Sequence, residues 1–129
     1  MLNKDTPFFY LTLDYEDDNL ISSDLKFKED NFTCFEVFVP KNYVKGIVKV
    51  LSRYNLLKEG NYTDVYALID VEGHWTTLEG AKAFIGEVGK ESVEKEKLMK
   101  FRVKKEFTDL AYYLVKKVHP YEVPVINIF

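Results

Sequence analysis

From Phe32 onward, apolar residues recur in two alternating rhythms, every second position in some segments and every third or fourth in others. Phe35, Val37 and Val39 alternate with Cys34, Glu36 and Phe38. That period of two predicts a strand with apolar side chains on both faces, ended by Pro40, which cannot donate to a ladder. Val44, Ile47, Val48, Leu51 and Tyr54 then fall on one side of a helical wheel, with Lys41, Lys45, Lys49 and Arg53 elsewhere, which predicts an amphipathic helix covering a sheet. Gly60-Asn61 breaks this pattern, and the aromatic and β-branched run from Tyr62 to Val71 predicts a long strand that turns at Glu72-Gly73. Met99, Phe101 and Val103 alternate with Lys100 and Arg102, another strand. Phe107, Leu110, Ala111, Leu114, Val115 and Val118 form a helical stripe that stops before Pro120, because proline disfavours a helical backbone at His119. Val123 to Phe129 closes the chain as a strand.

The order from Phe32 is β-α-β-β-α-β, so the expected class is α+β: a ferredoxin-like antiparallel sheet with two helices on one face. The domain is expected over residues 32–129. Residues 1–31 are expected to form a strand or hairpin extension, with strands at Phe8 to Tyr15 and Asp24 to Phe27 around the acidic turn Glu16-Asp17-Asp18-Asn19. Apolar side chains in both phases near Val37, Val65 and Met99 predict that the second face of the sheet is buried by self-association.

Composition narrows the classes. A chain of 129 residues, 47% hydrophobic and 30% charged, suits one soluble core, and no apolar run approaches the roughly 20 residues that cross a bilayer. The start, Met1 to Pro7, carries an early acid and no long apolar stretch, so a cytoplasmic protein without membrane contact is expected. A formal net charge of −3 gives no general attraction to phosphates, which argues against nucleic acid as a partner. The mixed charges of Lys90 to Lys97 are expected to form a solvated surface. Cys34 is the single cysteine; it excludes an intramolecular disulfide and a cysteine-rich zinc site, and is expected to be a passive thiol in the core or at an edge.

Four separated blocks add a family. The closing run His119-Pro120-Tyr121-Glu122-Val123-Pro124 resembles the end of CutA-type proteins, trimeric relatives of the PII fold described as divalent-cation tolerance proteins. Gly60-Asn61-Tyr62, Leu78-Glu79-Gly80-Ala81 and Phe84-Ile85-Gly86-Glu87-Val88-Gly89, in that order before the closing run, resemble the PII-like domain inserted in bacterial Nif-three-like proteins, related to NGG-one-interacting factor three and also called GTP cyclohydrolase type-two-like. The resemblance runs from Phe35 to Phe129. It implies the insert standing alone, apart from the flanking domains that carry the family's di-metal centre, and it favours a homotrimer. Thr63-Asp64-Val65 stands where the insert pattern has an aspartate-histidine-cysteine run, so no ligand role of that run carries over.

Candidate chemistry is sparse, and no nucleophile and base are paired in the sequence. His119 and Glu122 flank the Pro120-Tyr121 turn, where they can satisfy backbone groups; with His74 they are also the candidates for a metal site, and an intersubunit set of His74, Glu79, His119 and Glu122 is the extended form of that reading. The glycines at 80, 86 and 89 do not make a phosphate loop: Glu91 follows Gly89-Lys90 where a hydroxyl is required, and Glu87 repels phosphate. Trp75 reads either as an anchor of the core or of an interface or, with Tyr62 and Phe84, as the lining of a small-molecule cleft at a subunit boundary, with Glu79, Glu87, His119 and Glu122 as further ligand-binding candidates. The sequence therefore predicts a non-enzymatic oligomeric module that senses a small ligand or scaffolds a protein partner, its cofactor unspecified, with divalent-metal binding as the alternative.

Overall fold

The computed structural model describes residues 31–129, and the expected N-terminal strand or hairpin lies outside the described residues. Four strands, β1 (Phe32–Val39), β2 (Ala67–Thr76), β3 (Glu91–Lys104) and β4 (Ile126–Ile128), form one sheet in the order β2-β3-β1-β4. Every neighbouring pair is antiparallel. Helices α1 (Val44–Arg53) and α2 (Thr108–Val118) each follow a short 3-10 turn. This is the ferredoxin-like β-α-β-β-α-β arrangement that the hydrophobic periods predict.

The two faces separate as the alternation requires. Phe35, Val37 and Val39 of β1 stand opposite Phe101, Met99 and Lys97 of β3, and the apolar members of this row are buried beneath the helices. From α1 come Val44, Ile47 and Leu51; from α2 come Ala111, Leu114 and Val115. Phe35 and Phe101 stack with ring centroids 5.0 Å apart. Leu51, Ile47 and Phe35 are each at most 1% exposed, and full burial of such side chains contributes roughly 1.5–3 kcal/mol apiece.

The second face carries Phe38 and Leu98 in register, with Ile69 of β2 beside Leu98. None of these is fully buried, and Ile69 is 47% exposed. Cys34 is also exposed on this face, opposite Arg102, so of the two expected placements, core or edge, the core one does not hold.

Helix ends follow from local chemistry. Asn55 takes φ 59°, its N–H donates to Ser52 O and that of Leu56 to Leu51 O, a Schellman end that satisfies the last carbonyls and turns Leu56 and Leu57 into the core. Tyr54 is consequently exposed rather than part of the buried stripe. At the end of α2, His119 is already extended at φ −65°, ψ 134°.

Four boundaries differ from the sequence reading, the first being the closing strand, which spans Ile126–Ile128 rather than Val123 to Phe129. Residues 62–66 are not strand: Asp64 sits at φ 57°, held by the hydroxyl of Ser52, so β2 begins at Ala67. Glu72-Gly73 is not a turn, since β2 runs through it to Thr76. The mixed-charge run from Glu91 is the first half of β3, paired residue by residue with β2. Ladder pairing with β2 extends the strand there without any apolar alternation in the sequence.

Candidate functional site

On the face without helices, the far end of the β2-β3 ribbon meets two irregular segments. One is the connection between Thr76 and Glu91, closed by the N–H of Gly89 donating to Thr77 O at 2.8 Å. Within it Gly86 takes φ 115°, and a Cβ there would lie 2.7 Å from Thr77 Oγ1 and 2.8 Å from Ser92 Oγ, so only glycine lets the loop settle against the ribbon. The other segment is the turn after α2. His119 is 6% exposed and anchors it: Nε2 donates to Phe38 O at 2.7 Å while Nδ1 accepts from the N–H of Tyr121 at 3.2 Å. That pair of bonds requires a neutral imidazole protonated on Nε2. Burial accordingly holds the His119 pKa below its ordinary value, opposed in part by the Phe38 carbonyl.

The two segments wall a pocket of about 630 Å³. Tyr121 is its hub, with ring centroids 5.6 Å from Trp75, 6.0 Å from Phe84 and 5.0 Å from His119. Tyr43 meets Phe84 edge-on at 5.9 Å. The hydroxyl of Tyr121 donates to the carboxylate of Glu96, itself only 7% exposed. Burial and the adjacent Glu96 push the Tyr121 phenol far above its ordinary pKa. Glu96 has room because β2 carries glycine beside it: a Cβ on Gly73 would come within 2.9 Å of Glu96 Cδ. Glu122 lines the mouth and accepts from the N–H of Lys82 at 2.9 Å. Thr77 also lines the pocket; it is 6% exposed, and its hydroxyl has no hydrogen-bond partner among the described residues.

Of the residues singled out in the sequence, Trp75, Phe84, Glu122 and His74 line this pocket. His119 lies behind Tyr121 as an anchor rather than in the wall. Tyr62 is 75% exposed in a separate tight turn, where it exchanges backbone hydrogen bonds with Glu59, so it does not join Trp75 and Phe84. Glu79 and Glu87 are exposed outside the pocket wall, Glu87 paired with Lys90 at 3.2 Å. Sequence reasoning missed Tyr121, Glu96 and Thr77. Tyr121 stood in plain view inside the closing motif, whereas Glu96 was indistinguishable from its charged neighbours until the register with β2 placed it.

The metal candidates are not brought together. His74 is exposed between Glu91 at 3.2 Å and Glu72 at 3.3 Å, and these hydrogen bonds, Glu91 first, raise its pKa. Both ring nitrogens of His119 are already engaged. Among the described residues, no group of three or more His, Cys, Asp or Glu side chains is arranged to hold a metal ion. No described helix is long and apolar enough to cross a membrane.

No family model matches the chain. Among curated proteins, a GTP cyclohydrolase 1 type 2 homolog from Staphylococcus epidermidis is 27% identical over 92 residues, covering 71% of this chain and 25% of that protein. One from Staphylococcus aureus is 29% identical over 101 residues, covering 78% and 27%. Among solved structures, a Bacillus cereus protein related to NIF3 superposes with a TM-score of 0.65 at 18% identity, over 77% of this chain and 25% of that one. The chain is similar to a segment of Nif-three-like proteins. It spans about a quarter of the length of the curated relatives it matches. CutA from Synechococcus elongatus superposes with a TM-score of 0.56 at 14% identity, covering 78% of this chain and 76% of that one. The periplasmic divalent cation tolerance protein CutA from Archaeoglobus fulgidus gives 0.57 at 17%, covering 76% and 81%. The fold is therefore PII-like and CutA-like.

Proposed function

We propose that this chain is a non-enzymatic, oligomeric PII-like module that binds a small ligand in the pocket between Trp75, Phe84 and Tyr121. The observation that carries this reading is the pocket itself: about 630 Å³, within the usual size of small-molecule sites, with aromatic walls and a few convergent polar groups. The described residues offer no nucleophile with an adjacent base, and His119, the best placed general base by type, is consumed by two backbone bonds. The cyclohydrolase name belongs to relatives of which this chain covers a quarter, and it supplies no reaction here.

Self-association is supported by the partly exposed row Ile69, Leu98 and Phe38 on the face without helices, which borders the pocket through Phe38. The CutA resemblance favours three copies. Ligand binding would order the Thr76–Glu91 connection and change the surface shown to a protein partner. Native mass spectrometry of untagged protein purified from its source tests the reading. A multiple of the chain mass carrying a small molecule that Trp75→Ala loses is the expected result, and a bare monomer would overturn it.

A further inference from the structure

Resting on that pocket reading, we infer that the ligand is an organic cation, an amine or quaternary ammonium with an apolar body. Trp75, Phe84 and Tyr121 all line the pocket, Trp75 and Phe84 packed on Tyr121 with centroids 5.6 and 6.0 Å away, and a cation seated over the face of such a ring is attracted to it. Glu96 and Glu122 bring carboxylates to the same pocket, and no lysine or arginine lines it among the described residues; the Glu72 carboxylate, 67% exposed, lies with the His74 ring on the other face of β2.

Each pocket carboxylate is held by a bond that leaves acceptor capacity over. Glu96 receives the Tyr121 hydroxyl, and Glu122 receives the Lys82 N–H through Oε1. The unpartnered, deeply buried hydroxyl of Thr77 is an independent sign that a polar group completes the site, because a buried hydroxyl without a partner costs roughly 1–3 kcal/mol. An anion would meet these carboxylates with no counter-charge. A neutral apolar ligand would use the rings and leave the carboxylates desolvated without compensation. An ammonium group on an apolar body answers both.

The single tryptophan makes the test local, because intrinsic emission reports Trp75 alone. Three probes share one aromatic body: 2-phenylethylamine, protonated at pH 7, neutral 2-phenylethanol, and anionic phenylacetate. The expected result is saturable perturbation of Trp75 emission by the amine at a Kd about ten-fold below that of the alcohol, with phenylacetate weakest. Glu96→Gln and Glu122→Gln keep acceptors for Tyr121 and Lys82 while removing charge, and together they should reduce the amine preference to about two-fold. Glu122→Gln alone, at an exposed position, reports the direction should the double variant fold poorly. Equal or tighter binding of the alcohol or phenylacetate overturns the cation inference and leaves a small-ligand pocket standing. No response to any probe overturns both.

Discussion

Tyr121 hydrogen-bonds the carboxylate of Glu96, and this contact ties the turn after α2 to the middle of β3. It also fixes the ring against which Trp75 and Phe84 are arranged. Tyr121→Phe leaves a buried carboxylate short of a donor, and the expected loss is about 1–3 kcal/mol in urea denaturation. Gly73→Ala should produce a similar loss by a different route, pushing Glu96 off Tyr121. The phenol's pKa is raised in the fold, so its contribution is complete below the unfolded value of about 10 and is lost as pH rises above it. Absorbance at 295 nm should show a late tyrosine step that accompanies unfolding, and that step should vanish in Tyr121→Phe.

The two histidines are expected to move stability in opposite directions with pH. His119 is held neutral with a lowered pKa, so its contribution is present above about 6.5 and is lost as pH falls through the folded value. His74 has a raised pKa, so its contribution is present below about 6.5 and is lost as pH rises through its folded value. Salt screens the exposed His74 pairs with Glu91 and Glu72 and leaves the buried bonds of His119 intact. Urea midpoints measured from pH 8 to 5 in 0.5 M salt should therefore fall towards acid, and His119→Gln should flatten that slope. A midpoint that is level or rises towards acid in wild type under these conditions would contradict the assignment.

Gly86→Ala tests the loop that roofs the pocket. At φ 115°, with Thr77 and Ser92 within 2.8 Å of the new carbon, the substitution adds backbone strain and a clash together. A loss of about 1–3 kcal/mol is expected. Trp75 emission should shift towards that of a solvated indole while helical circular dichroism stays unchanged.

Ile69→Lys tests self-association without touching the core. The side chain is 47% exposed on the face away from the helices, so a monomer should tolerate it within about 0.5 kcal/mol. In the proposed oligomer the new charge would be buried against a neighbouring copy. Light scattering coupled to size exclusion should show a monomer for the variant and a larger species for wild type; an unchanged mass removes this face from the interface.

Much of the fold was legible because periodic burial leaves a direct trace. Phe35-Val37-Val39, Val44-Ile47-Leu51 and Ala111-Leu114-Val115 each announce an element and the face it buries, and Pro40 and Pro120 mark where elements end. Local signals erred where pairing overruled them. Gly73 looks like a turn residue and is instead a strand residue whose missing side chain makes room for Glu96. Glu91 to Lys97 has no apolar alternation, yet it pairs along its length because β2 lies beside it.

The sequence by itself determined the order of elements, the buried face of each helix, and the end of the second helix at His119-Pro120, since all of these depend on residues near in the chain. Only the tertiary structure decided the pocket. Trp75, Phe84, Glu96 and Tyr121 come from four separate segments, and their encounter depends on strand register, on a glycine at 73 and on the left-handed backbone of Gly86. Register is a relation between distant strands, and one strand's sequence does not contain it.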